Sequence, residues 1–191
     1  MTKQETNYVP NLQEVAFHEA GHTVTGAMFY PPVEFVSIKK ETVNDRAVLG
    51  RTIHDLPYPE LGDPKDREIF KNYMKVIINA LSGKFCQYTV NGVMDEKGAW
   101  ADYDFLSIYI FDLEHICFMQ IWDEITRDFC TNTEFMDMVN IVAKSLLEKE
   151  VLTEEEVVEL IGEKIFDPEP LLENLVEKYH KRYLGCKKLF I

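Results

Sequence analysis

Positive charge is scarce in this chain. Twenty Lys and Arg stand against 33 Asp and Glu, a net charge of −13 over 191 residues. A chain so acidic lacks the clustered basic surface that phosphate backbones need, so nucleic acid is not an expected partner. Anionic membrane surfaces are disfavoured for the same reason. Cysteine is sparse as well: Cys86, Cys117, Cys130 and Cys186 form no C-x-x-C pair and are irregularly spaced. Free, mostly buried thiols in a reducing cytoplasm are expected rather than disulfides. There is no long uncharged apolar run. The most apolar stretch, Phe105 to Trp122, carries Asp112, Glu114 and His115 and reads as a buried helix, not a membrane span. The first ten residues, MTKQETNYVP, lack the apolar core of a signal peptide. No G-x-x-x-x-G-K-[ST] segment occurs, so no phosphate-binding loop is expected.

What remains is a chain long enough for one well-buried core, and a single domain over 1–191 is expected. Its periodicities predict a mainly α fold with a small β-hairpin or sheet. Asn11 followed by Glu14 resembles a capping box, so a helix should start there and stop before Pro31-Pro32. Residues 33–40 and 47–53 are rich in β-branched side chains and predict two paired strands. Residues 54–63 read as a loop. Asp63-Pro64 is a helix start, with apolar residues at helical spacing from Ile69 to Leu81 and an end near Gly83. Residues 89–98 read as a second loop, and a long, broadly apolar helix from about Ala99 to Phe129 belongs in the centre of the fold. Thr133–Lys149 is amphipathic. Thr153 with Glu156 opens a short helix to about Ile161, and Asp167-Pro168 opens a last one that Gly185 should end.

Histidine is also rare, five in all, which makes the placing of two of them informative. His18-Glu19-Ala20-Gly21-His22 lies inside the first helix. Residues four apart share a helical face, so His18 and His22 can present two imidazoles to one metal ion. Glu19 stands beside them, placed to take a proton from water. This is the core arrangement of a zinc metallopeptidase. Gly21 costs a helix interior roughly 1 kcal/mol relative to Ala, which a close backbone approach at a packed site would offset. A catalytic zinc wants a third protein ligand and one open position. By chemistry that ligand could be His54, His115 or His180, or one of Asp95, Glu96, Asp102, Asp104, Asp112 and Glu114. Asp102 shares a helical face with Leu106, Tyr109 and Leu113 and should point inward, where a carboxylate needs a partner. Spacing alone does not rank it above Asp104. Tyr103 and His115 are candidate oxyanion donors.

Several segments, taken in order, resemble the peptidase domain of the FtsH family of AAA zinc proteases. Val15–His22, VAFHEAGH, is similar to that family's V-A-x-H-E-A-G-H. Pro32–Ile38 resembles the strand after its zinc helix, and Leu49-Gly50-Arg51-Thr52 its L-G-x-T strand. Ser82-Gly83-Lys84 sits where the family has G-G-R. Gly98–Asp102, GAWAD, matches its G-A-x-x-D, and Leu146–Glu150 with Leu152–Glu155 resembles its C-terminal helices. The resemblance spans about 12–162 and leaves 163–191 as a C-terminal helical extension. It implies that Asp102 is the third zinc ligand. Two departures are plain. Family members carry a membrane anchor and an ATPase module ahead of the peptidase, whereas here the motif helix lies near residue 1. The family's A-A-E-E after G-G-R is replaced by Phe85-Cys86-Gln87-Tyr88, which bears on packing and hexamer contacts more than on zinc.

The expected function is therefore a zinc-dependent metalloendopeptidase, not itself driven by ATP, acting on unfolded or flexible polypeptides. Its metal ligands are His18, His22 and Asp102, and its general base is Glu19. Leu49, Gly50, Arg51 and Thr52 are expected to form a strand edge that pairs with the substrate. A homo-oligomer or a separate ATPase chain are the partners left open. The competing expectation is a non-catalytic zinc-binding adaptor or regulatory domain derived from such a peptidase.

Overall fold

The computed structural model describes residues 10–43, 46–54, 62–92, 102–104, 106 and 116–187. Its first helix, α1 (Leu12–Phe29), begins at the expected capping box: the Asn11 side chain accepts from the Glu14 amide while the Glu14 carboxylate accepts from the Asn11 amide. Ala16, Ala20 and Val24 are wholly buried along it. A different face, with His18, Gly21, His22 and Thr25, meets α2 (Arg67–Asn91). At Gly21 an added Cβ would lie 2.9 Å from both the Cys86 Sγ and the Ser82 carbonyl oxygen, so the glycine expected to mark a close approach does so.

Helix α2 differs from expectation at both ends. Its N-cap is Asp66, whose carboxylate accepts from the Glu68 and Ile69 amides, while Asp63-Pro64 lies in the turn before it. A second aspartate three residues on out-competes the Asp-Pro signal because its side chain meets two orphan amides at once. At the other end the helix passes Gly83 and stops at Gly92, which holds the left-handed conformation at φ 70°. Residues 89–91, read as loop, are its last turn.

The strands β1 (Val33–Ser37) and β4 (Arg51–His54) pair antiparallel, as expected, with Val36 opposite Thr52. Between them β2 (Glu41–Val43) and β3 (Arg46–Val48) form a separate two-stranded ribbon. A third strand, β5 (Val151–Thr153), pairs with the other side of β1 and completes a sheet of order β4-β1-β5. It was not expected. Three residues between two helices leave no room for a period-2 pattern.

Helices α3 (Ile116–Cys130), α4 (Thr133–Lys149), α5 (Glu154–Ile161) and α6 (Glu169–Lys187) complete the fold, mainly helical with a small antiparallel sheet. α4 and α5 have the expected bounds. α6 continues through Gly185 to Lys187. Of the long helix expected over 99–129, Asp102–Asp104 and Leu106 are helical and α3 forms its last half. The remainder, with His115, Asp112 and Glu114, lies outside the described residues, as do Asp95 and Glu96 of the expected loop before it. α1 sits between α2 and α4 and touches β1 and β4. Its neighbours contribute wholly buried Phe70, Met74, Ile77 and Leu81 from α2 and Phe135, Val139, Val142 and Leu146 from α4. Side chains of this size each contribute about 1.5–3 kcal/mol by leaving water. The polar motif of α1 is thus carried on a rigid, centrally packed element. Cys86, Cys130 and Cys186 are free thiols, and the Cys117 side chain lies outside the described set. No helix among the described residues is long and apolar enough to cross a membrane.

Candidate metal centre

His18 and His22 project from α1 onto α2. The Nε2 atoms of the two rings lie 3.1 Å apart. Asp102, from the chain between α2 and α3, brings its carboxylate to both: Oδ2 is 3.5 Å from His18 Nε2 and Oδ1 is 3.5 Å from His22 Nε2. One donor atom from each residue falls within 4.8 Å of the others, a cluster that could hold a metal ion. All three side chains are largely buried, at 12–17% exposure.

The outer hydrogen bonds fix which ring atoms face inward. His22 Nδ1 lies 2.8 Å from the Asn79 carbonyl oxygen, which can only accept, so this nitrogen carries the proton. His18 Nδ1 faces the Gln87 side-chain oxygen at 3.3 Å and carries its proton likewise. In the neutral rings both Nε2 atoms then present lone pairs to one another and to the carboxylate. Three electron-rich groups so placed repel unless a cation stands among them. Asp102 Oδ2 is buried and finds no hydrogen-bond donor. A buried, unpaired carboxylate oxygen is costly, and a divalent cation would satisfy it. The donor set, two imidazoles and a carboxylate with outer partners orienting the rings, fits such a cation.

The field of these groups shows in the titration of His22. Burial, the largest effect, would lower its pKa, but the Asp102 carboxylate, the Glu19 carboxylate and the Asn79 carbonyl together push it up to about 9, so that with no metal bound a proton takes the cation's place on the ring. The same negative field favours any cation at this point.

Gly83 explains how α2 can back the pair. A Cβ there would overlap His22 Nε2 and lie 2.8 Å from His18 Nε2. The sequence marks Gly83 as a helix end; its role is to leave room for the rings inside a continuous helix. Gln87, one turn further on, and Asn79, one turn before, are the residues sequence reasoning missed. Gln87 carries no motif, and Asn79 acts through its backbone, which no side-chain pattern reports.

Glu19 is 5% exposed on the same helix. Thr52 on β4 donates to its Oε2 at 2.8 Å, and Gly50 packs so close that a Cβ there would lie 2.6 Å from Oε1. Burial raises the Glu19 pKa despite the opposing pull of His18 and His22. A carboxylate with raised proton affinity is a better base at neutral pH. Of the four strand residues expected to bind substrate, Gly50 and Thr52 therefore touch Glu19. Leu49 lies in a shallow groove with Val15 and Ile38, and the Arg51 guanidinium rests over the Phe35 ring at 5.0 Å.

The other histidine candidates stand apart. His54 Nε2 is 3.2 Å from the Asn79 side-chain amide, its ring stacks with Tyr30, and burial lowers its pKa to about 4. His180 meets the Pro64 carbonyl at 3.1 Å and lies against Phe70. Asp104 is exposed. The Tyr103 hydroxyl is engaged by Lys84 at 2.5 Å. No protein-family model matches the chain, and no curated protein matches it.

Proposed function

We propose that the protein is a zinc-dependent metalloendopeptidase that cleaves unfolded or flexible polypeptides without itself using ATP. The observation that carries this is the convergence of two imidazole Nε2 atoms and an orphaned carboxylate oxygen beside a buried glutamate. A site that only held a metal would have no use for Glu19 at that point. The ordered resemblance to FtsH-type peptidases supports the same ligands and the same base. His18, His22 and Asp102 would hold the zinc, which as a Lewis acid lowers the pKa of water and polarises a carbonyl.

The chain's own groups supply the rest. Glu19 takes a proton from the attacking water and returns it to the leaving amine. Thr52 fixes Oε2 of that carboxylate, leaving Oε1 to handle the proton. β4 is the outer strand of its sheet, and its Thr52, with Gly50 just before the strand, adjoins Glu19. An extended peptide adding to this edge would lie across the metal centre. Main-chain pairing of that kind makes selectivity among side chains loose.

Zinc content and casein cleavage test the proposal together. The wild type should hold about one equivalent of zinc and degrade unfolded casein. Glu19→Gln should keep the zinc and lose at least about 100-fold in rate. Zinc bound at wild-type stoichiometry with no cleavage of any unfolded chain would support a non-catalytic zinc-binding domain instead.

A further inference from the structure

We propose that Lys84 is a positioning residue for the metal centre, holding Asp102 in register with the two histidines through Tyr103. This rests on the metal-binding reading above. The two imidazoles are fixed by the packing of α1 on α2, but Asp102 comes from a separate stretch of chain. Its placing needs its own anchor.

The Lys84 side chain is 2% exposed, so an ammonium has been taken almost wholly out of water. Such a group is tolerated only with close polar partners. Its Nζ donates to the Tyr103 hydroxyl at 2.5 Å and lies 3.5 Å from Asp123 Oδ1, while the Tyr103 hydroxyl is itself 3.4 Å from that oxygen. Lys84 belongs to α2, Asp123 to α3, and Tyr103 directly follows Asp102. One cation therefore joins the helix that backs the histidines to the residue beside the third ligand. Leu106, 1% exposed and one turn beyond Asp102, seats the same segment in the core. Lys84 also directly follows Gly83, so the residue that makes room for the rings and the residue that anchors the carboxylate are neighbours.

The sign of the effect separates positioning from simple charge. A cation near a metal site repels the metal, so removing one tightens binding if charge is all that matters. If Lys84 positions Asp102, removing it weakens binding. Zinc affinity is measured by competition with a chromophoric chelator for the wild type, Lys84→Met, Lys84→Arg, Tyr103→Phe and the Lys84→Met/Tyr103→Phe pair. Lys84→Met and Tyr103→Phe should each weaken zinc binding roughly 10- to 100-fold, as loss of outer partners does elsewhere. The double variant should be little worse than either single one, because both act through one link. Lys84→Arg should restore part of the affinity.

Unchanged or tighter zinc binding by folded Lys84→Met would overturn the proposal, as would a lowered Tm with affinity intact. Should Lys84→Met fail to fold, Tyr103→Phe decides alone, since it removes only a hydroxyl, and unchanged affinity there is fatal. A wild type that binds no zinc would fail at the metal reading itself, before any variant is compared.

Discussion

At Gly83 a single methyl group separates a formed site from a blocked one. Gly83→Ala would drive a Cβ into His22 Nε2 and against His18 Nε2. Both rings are held from behind by Asn79 and Gln87 and cannot simply retreat. Zinc affinity should fall by more than about 100-fold, read by chelator competition, while helical content stays near wild type. Thr52→Val tests a different link. It removes the donor to Glu19 Oε2 and nothing from the ligands, so kcat on an unfolded substrate should drop roughly 10-fold with zinc affinity unchanged. A Thr52→Val protein that loses zinc would show that Thr52 supports the ligands and not the base. Much of this residue-level chemistry is legible in the chain. His18, Glu19 and His22 follow from helical spacing alone. Asp102 does not, because spacing alone leaves it level with Asp104. The match of Gly98–Asp102 to a family G-A-x-x-D implies it, and the tertiary contact with both rings that sets it apart is one that helical spacing cannot encode.

At the scale of elements, the strand β4 and the helix α6 make separate claims. β4 is an edge strand beside Glu19, and if an extended substrate pairs with it, main-chain amides carry the binding. N-methylation of backbone amides flanking the cleaved bond of a peptide substrate should raise KM at least about 10-fold, while side-chain changes at the same positions matter less. Equal KM values would remove β4 from the substrate site. α6 is tied down by charge. Lys75 and Lys71 hold the Glu169 carboxyl below its usual range. At Asp128 burial pulls the pKa upward, but the Lys178 ammonium and the Tyr179 hydroxyl outweigh it and the net shift is down. A carboxyl with a depressed folded pKa stabilises the protein above its ordinary value near 4 and loses that contribution as pH falls through the folded value. Asp128→Asn should therefore lower Tm by a few degrees at pH 7, and the difference should shrink as the pH falls below the ordinary carboxyl value and through the folded one. The helices themselves were readable where caps are strong. Asn11 and Glu14 set the start of α1, and Thr153 and Glu156 that of α5. The start of α2 was misplaced because two aspartates three residues apart both look like caps. β5 was missed because its partner, β1, lies more than a hundred residues away in sequence.

Taken whole, the molecule builds a buried polar site into an otherwise apolar helical core, and a bound ion should make the two interdependent. A metal that binds only the folded chain stabilises it in proportion to the logarithm of its concentration over Kd. Chelation should accordingly lower Tm, and protonation of His18 and His22 should release zinc as the medium is acidified, with zinc retained at pH 4 arguing against these ligands. The most direct test of the account is a zinc titration of the wild type beside Asp102→Ala. The wild type should take up one equivalent, and the variant should bind at least about 100-fold more weakly while remaining folded. Equal zinc affinity in the two proteins, or none in the wild type, would contradict the convergence of His18, His22 and Asp102 on a single cation.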